Sequence, residues 1–482
     1  MFKTLKNAWN IPELRQKLLF TLLMIVLYRI GSVIPVPFVN PGVLSTASNL
    51  ADNSLLTYFT LIAGDAFSRA TLFALSVSPY ITASIVMQLL TVAIPALQRL
   101  AKDGGDEGRK KIDRITRYVT VGLALITAYG YYRYIDAQGY LLSTGMNKFF
   151  VGLVIVSCYC AGAALIMWLG ERIDEKGIGN GISVILFINI LSSIPNMISQ
   201  FWNVNYQNVL NDKHWMNWGW FIALAILVIA VVVVAIGFIV FVTNAERRIP
   251  VQYAKKVVGR KMYGGQSSNL PIKLNMTGVM PIIFAQSIVS IPATIALIAP
   301  GVQPAGYSSG DYTIQGFKQW WYVFTNKWFS YSSWIYIVLF LVLIIAFAYF
   351  YVTISFDPIE VSNNLKKNGG FVPGIRPGRP TTDYIRKILN RITLIGALFL
   401  ALVAIVPLIV NTTLSGNLGI VAFGGSSLLI VVGVALETVR DLEAQMTMRH
   451  YKGFLEYEKR RPRNDLKGNA SGARAIPLPG LW

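Results

Sequence analysis

Long apolar segments, separated by polar and mostly basic ones, dominate the chain. A helix needs about 20 mostly apolar residues to cross the hydrocarbon core of a bilayer. Ten segments approach that length, and they contain no aspartate or glutamate. They cover residues 18–36, 72–90, 119–135, 149–169, 182–198, 218–242, 276–298, 332–356, 392–410 and 420–436. The pattern therefore predicts an all-α membrane protein with ten transmembrane helices.

The positions of lysine and arginine predict how these helices are oriented. Cytoplasmic segments of membrane proteins carry an excess of both residues. If the N-terminus is inside and the helices alternate, 36 of the 43 basic residues fall in inner segments and six in outer ones. We therefore expect an inner-membrane protein with both termini in the cytoplasm. The net charge of +20 follows the same bias, and it also suits an anionic partner such as a ribosome or acidic lipid.

The ten helices divide into two groups of five. We expect a cytoplasmic N-terminal segment (1–17), an N-terminal half (18–205), a C-terminal half (206–440) with inner loops at 244–274 and 357–391, and a cytoplasmic tail (441–482). The Gly-, Ala- and Pro-rich end of the tail predicts disorder. Such a plan is common in transporters and channels, so it does not choose between them.

Residues 55–75 form an apolar segment interrupted by Gly64, Asp65, Ser68 and Arg69. The segment is too polar to span a bilayer and too apolar for an ordinary outer loop. One interpretation is an amphipathic helix lying in the membrane interface. The other is a re-entrant segment that folds back into the protein, where protein must shield its backbone. The residues alone leave both open.

We find no pattern of catalytic residues, metal ligands or nucleotide-binding loops, so we expect neither an enzyme nor a cofactor. Cys158 and Cys160 have neither redox nor zinc spacing. Ion-coupled carriers usually keep an acidic residue or a histidine near the bilayer midplane. The absence of acids from the ten segments favours a pore lined by neutral groups or a structural bundle. A secondary transporter for a small solute is the alternative.

Two inner loops, residues 246–275 and 363–384, combine basic residues with turn formers and apolar anchors. A run of charge is usually only a solvated face. Here Val, Tyr, Phe and Pro are interleaved with the charges, which favours docking surfaces over simple linkers.

Six stretches carry a resemblance to a known family. They read FALSVSPYITASIVMQLL (73–90), GIGNGISVILF (177–187), AERRIPVQYAKK (245–256), SSNLPIKLNMTGVMPIIFAQSI (267–288), NLKKNGGFVPGIRPGRPT (364–381) and FGGSSLLIVVGVALE (423–437). In this order they resemble the SecY family of protein-conducting channels in bacterial plasma membranes, and the resemblance runs from about residue 3 to 455.

The resemblance implies a clam shell of two pseudo-symmetric five-helix halves around a central hourglass pore. A lateral gate would open between the second and third helices and the seventh and eighth. The interrupted outer segment would hold a re-entrant plug near residues 63–72, including Gly64, Asp65, Ala66, Phe67, Ser68 and Arg69. A ring of aliphatic residues would close the pore at Val77, Ile81, Ile182, Leu186, Ile283 and Ile430.

The same resemblance implies a function and partners. Such a channel moves unfolded secretory polypeptides across the membrane and releases transmembrane segments sideways into lipid. It binds signal peptides, works with SecE and SecG subunits, and is driven by the SecA ATPase or a translating ribosome. Docking to SecA, to ribosomal RNA or to anionic lipid would involve Arg247, Arg248, Lys255, Lys256, Arg260, Lys261, Arg376 and Arg379, with Arg376 associated with motor function.

Overall fold

The computed structural model describes residues 6, 8–40, 65–102, 104–137, 139–142, 147–210, 218–253, 256–258, 261–263, 267–299, 304, 314, 316–329, 333–413 and 419–460. These residues are mostly helical. The helices up to residue 210, called the N-terminal half from here on, are α1 (Pro12–Gly31), α2 (Asp65–Ser68), α3 (Ser78–Ala93), α4 (Pro95–Lys102), α5 (Gly105–Ala137), α6 (Lys148–Lys176) and α7 (Gly181–Leu210). The tail beyond residue 460 and residues 55–64 lie outside this description, so the disorder predicted for the tail stays a prediction.

The C-terminal half contains eight helices and five strands among the described residues. The helices are α8 (Trp218–Asn244), α9 (Met280–Val289), α10 (Ile291–Ile298), α11 (Phe317–Val323), α12 (Trp334–Ser355), α13 (Pro358–Lys367), α14 (Arg379–Thr413) and α15 (Gly419–Arg460). A short π-helical segment, Phe324–Trp328, continues α11. The strands are β1 (Glu246–Tyr253), β2 (Lys256–Val258), β3 (Lys261–Tyr263), β4 (Ser267–Lys273) and β5 (Gly370–Phe371).

Each of the ten apolar segments overlaps a helix or a pair of helices. Within the described residues, four helical stretches are long and apolar enough by themselves to cross a bilayer, and the bent pair α3–α4 makes a fifth. The four are Lys148–Lys176, Ala225–Asn244, Trp334–Lys367 and Arg379–Val410. The chain is therefore a multi-pass membrane protein. A count of ten crossings stays a prediction.

Two breaks between consecutive helices lie close to a proline, and the second of them falls inside a predicted apolar segment. The helix axis turns by 104° between α3 and α4. Ile94 at this break is extended, as expected for a residue that precedes a proline. The seventh apolar segment divides at Ser290 into α9 and α10, and each of these begins with a proline in its first turn. Proline is favourable there because its missing N–H group is not needed by the helix.

The two halves pack against each other along two seams. On one side, α3 contacts α9, and α5 contacts α10. On the other side, α7 contacts α15. One large hydrophobic cluster crosses between the halves, with members such as Ile85, Ile185, Phe284 and Leu429. Among the described residues, the largest core cluster therefore crosses the interface of the halves, and a second, smaller cluster lies inside the N-terminal half.

A small antiparallel sheet connects the two long loops at 244–274 and 357–391. Strands β1 and β4 form a hairpin in which Ile249 is opposite Leu270. Strand β5, from the second loop, pairs with the other edge of β1, so that Gln252 is opposite Phe371. Beneath the sheet, Ile249 and Val372 pack with Leu389 of α14. The two loops that the sequence suggested as separate docking surfaces are therefore one folded unit.

Candidate functional site

Four of the six predicted ring residues line one cavity between the halves. Ile81 comes from α3, Leu186 from α7, Ile283 from α9 and Ile430 from α15. The cavity holds about 530 Å³ of space, part of it open to solvent. Each of the four side chains is 5–7% exposed. Two helices from each half thus bring branched aliphatic groups to the same place.

The other two predicted ring residues lie elsewhere in the same hydrophobic cluster. Val77 is 1% exposed and caps the N-terminus of α3. Ile182 is the second residue of α7 and packs closely on Gly170 of α6, where an added Cβ would lie 2.8 Å from the Ile182 Cδ1 atom. Neither residue lines the cavity, and a role for either in a ring stays a prediction.

The cavity also has a polar side that sequence reasoning missed. Its remaining lining residues are Ser78, Ile190, Gln286, Ser287, Ser426 and Ser427. A spacing of four residues from the predicted ring positions would have found three of them. Residues four apart share a helix face, and Ser287 follows Ile283 by four, as Ile190 follows Leu186. Ser426 precedes Ile430 by the same interval.

The segment that precedes α3 is packed inside the protein. Ala66, Phe67, Ala70 and Thr71 are all at most 5% exposed, whereas Arg69 is exposed. This burial favours the re-entrant interpretation of the described part over an interfacial helix. Of the predicted plug residues, Gly64 lies outside the described residues, and only the backbone is described for Asp65 and Ser68. Their role as a plug stays a prediction.

Two tyrosines of the N-terminal half hold this segment. The hydroxyl of Tyr131, on α5, donates to the Phe67 carbonyl at 2.7 Å, and the two rings stack 4.6 Å apart. The hydroxyl of Tyr159, on α6, donates to the Ala70 carbonyl at 3.4 Å. Gly162 of α6 permits close approach, because an added Cβ would lie only 2.0 Å from the Leu72 oxygen. Buried backbone groups need such partners.

Six of the eight predicted docking residues lie among the described residues, in the strands of the first loop, in the turn that follows β5 and at the start of α14. Arg247 and Arg248 are exposed on β1, and the Arg248 Nε atom donates to Glu246 at 2.7 Å. Arg376 and Arg379 are exposed. The backbone of Lys256 lies in β2 and that of Lys261 in β3, whereas Lys255 and Arg260 lie outside the described residues.

Charged groups surround the base of this sheet where it meets α15. Burial lowers the pKa of Lys273, and Arg440 lowers it further, while Glu246 and Glu437 act in the opposite direction. Burial and Asp441 raise the pKa of Glu437, against the opposing effect of Arg440 and Lys273. Acidic and basic groups are thus interspersed at the base, while the exposed strands above carry the arginines.

Comparison with known proteins decides the family. The family model described as SecY matches residues 71–439. A protein translocase subunit SecY from Streptomyces coelicolor is 42% identical over 466 residues, covering 94% of this chain and all of the relative. Its counterpart from Thermotoga maritima is 38% identical over 469 residues, covering 96% of this chain and all of the relative. This chain belongs to the SecY family.

Solved structures show that the SecY fold extends over nearly the whole chain. A structure described as a protein-conducting channel gives a TM-score of 0.59 at 18% identity, covering 91% of this chain and 96% of that one. Sec61 in a canine ribosome–channel complex gives a TM-score of 0.55 at 17% identity, with the same coverage. The arrangement of helices is therefore that of a SecY/Sec61 channel.

Proposed function

We propose that this chain is the central subunit of a protein-conducting channel. It moves unfolded secretory polypeptides across the plasma membrane and releases transmembrane segments sideways into lipid. The observation that carries the proposal is the convergence of Ile81, Leu186, Ile283 and Ile430, from four helices and both halves, on one cavity. The relatives' name, protein translocase subunit, supports it.

An aliphatic constriction suits a channel for chains of any sequence. Directional hydrogen bonds would retain some chains and reject others, whereas branched aliphatic groups deform around a chain and bind it weakly. When no polypeptide is passing through, the constriction is dry. It then blocks ions, because an ion would have to lose its hydration shell to enter. In this proposal the buried segment around Phe67 adds a plug on the outer side of the constriction.

The proposed lateral gate is the seam where α3 meets α9 and α5 meets α10. A signal peptide is an apolar helix, and a path from the pore to lipid lets it bury its apolar surface. In the proposed topology ten helices cross the membrane, both termini are cytoplasmic, and the sheet lies inside.

The proposed partners follow from charge and from family membership. The exposed arginines of the sheet and turn suit acidic protein surfaces and ribosomal RNA. Two of the solved relatives are described in complexes with ribosomes. We propose SecE and SecG as accessory subunits, SecA or a translating ribosome as the energy source, and anionic lipid at the inner surface. No chemical step is assigned to this chain.

Reconstitution tests this function against the transporter alternative. With SecE, SecG, SecA and ATP, vesicles containing this chain are expected to make a secretory precursor resistant to added protease, and vesicles without ATP are the control. A channel needs no saturable site for a small solute. Saturable solute uptake without precursor protection would contradict the proposal and support the transporter.

A further inference from the structure

We propose that Asn189 is a positioning residue that sets the width of the constriction by fastening the start of α3 to α7 and α1. The inference rests on the proposed channel function. It concerns a buried hydrogen-bonded trio, Tyr28, Asn189 and Ser76, that lies behind the cavity and does not line it.

The trio joins three parts of the N-terminal half. The Tyr28 hydroxyl, on α1, donates to Asn189 Oδ1 at 2.5 Å. Asn189 Nδ2, on α7, donates to Ser76 Oγ at 2.9 Å. All three residues are 1% exposed. Buried hydrogen bonds of this kind fix geometry, because a lost partner leaves a desolvated polar group behind.

An asparagine suits the central place because its amide both accepts and donates. Its oxygen accepts a hydrogen bond from the tyrosine hydroxyl, while its nitrogen donates one to the serine oxygen. A leucine of similar size would do neither. An ionised aspartate could only accept hydrogen bonds. It would also bury an unpaired charge, which is costly in an apolar segment.

Ser76 needs this support because of its backbone. Its φ of +50° is in the left-handed region, which costs energy for any residue other than glycine and persists only where the surroundings hold it. The surroundings here include a hydrogen bond from the Ser76 N–H group to Phe73 at 2.9 Å. The ring of Phe73 in turn stacks on Tyr28 at 5.4 Å. This unusual turn decides where α3 begins and in which direction it runs.

The trio connects directly to the constriction. Val77 follows Ser76, and Ile81 lies one helical turn further along α3. On α7, Asn189 lies three residues after Leu186, so both are on the same side of that helix. The hydrogen bonds therefore set the spacing between Ile81 and Leu186, two of the four aliphatic groups that meet in the cavity. Without them, the start of α3 loses its hydrogen-bonded attachment to α7.

An Asn189→Leu variant tests the inference in the reconstituted complex. We expect ion leak through the idle channel to rise on the order of tenfold, the change in closed-state population that one buried hydrogen bond supports. We also expect export of a precursor with a defective signal peptide to increase. Ser193→Ala is the matched control, because Ser193 is buried on the same helix and its Oγ donates to carbonyls of its own helix, at Asn189 and Ile190.

A second substitution separates positioning from general stability. Glycine adopts positive φ without strain, so in a Ser76→Gly background Asn189→Leu is expected to raise the leak less than it does alone. Thermal unfolding of each purified complex reports stability, which a positioning role need not change. If Asn189→Leu fails to assemble, Tyr28→Phe removes one hydroxyl and is expected to raise the leak in the same direction by a smaller factor.

The possible results are distinct. If Asn189→Leu and Tyr28→Phe both assemble and both show the ion leak and the signal-peptide selectivity of the unmodified chain, the positioning role is overturned while the channel function stands. An equal leak in the Ser193→Ala control would also overturn it. Failure of the unmodified chain to translocate a precursor would overturn the proposed function, and the inference with it.

Discussion

Replacing Arg376 with glutamate is expected to abolish SecA-driven translocation while leaving the fold unchanged. The Arg376 side chain is exposed, and its turn is shaped by the backbone, with φ of +83° at Gly374 and +106° at Gly378. The Thr381 hydroxyl donates to the Arg376 carbonyl at 2.9 Å, a bond that does not involve the arginine side chain. An exposed substitution of this kind changes stability by about 0.5 kcal/mol or less.

The loss of transport follows from the proposed docking. A like charge placed against an acidic partner costs several kcal/mol, so ATP-driven protection of a precursor should fall by about two orders of magnitude. Arg386→Glu is the matched control, because Arg386 is exposed on α14 and the substitution reverses the same charge. Full activity in the Arg376 variant, or equal loss in the control, would remove the role assigned to Arg376.

Replacing Ile283 with asparagine is expected to make the idle channel leak ions. Ile283 lines the cavity, is 7% exposed and faces aliphatic groups from three other helices. An amide at this place lowers the cost of admitting water, and a wet constriction no longer strips ions of their hydration. We expect single-channel or vesicle conductance without precursor to rise by about an order of magnitude.

Ile283→Leu provides the control for this prediction. Leucine has the same volume and remains aliphatic, so the constriction stays dry, and such a swap usually costs less than about 1.5 kcal/mol. We expect its idle conductance to match that of the unmodified chain. If the asparagine variant is as tight as the leucine variant, the cavity is not the barrier to ions.

The sequence predicts helix positions well because a bilayer-spanning helix needs a long apolar run, and such runs are visible without knowledge of contacts. It misses features that depend on residues far apart in the chain. The addition of β5 to β1 is one example. The hydrogen bond from Tyr131 to Phe67, 64 residues away, is another. The division of α9 from α10 is local, yet Pro292 alone does not reveal whether a helix kinks or stops.

The candidate site was partly visible in the same way. Motif resemblance supplied Ile81 and Ile283, and helical spacing from them could have supplied Ser287. Ser76 and Asn189 carry no comparable signal, because a serine with positive φ and its distant amide partner are recognisable only in three dimensions. Isolated buried polar residues in an apolar segment are otherwise indistinguishable from ordinary helix-packing residues.

Crosslinking a stalled precursor tests the central claim most directly. Photoreactive probes placed at Ile81 and Ile283, on opposite halves, are expected to crosslink to a secretory precursor arrested in transit through active vesicles. The matched control is a probe at Val338, on α12, which is 58% exposed on the outer surface of the bundle. Crosslinks from both cavity positions and none from Val338 are the predicted result. Active translocation with no crosslink from either cavity position would contradict a path through this constriction.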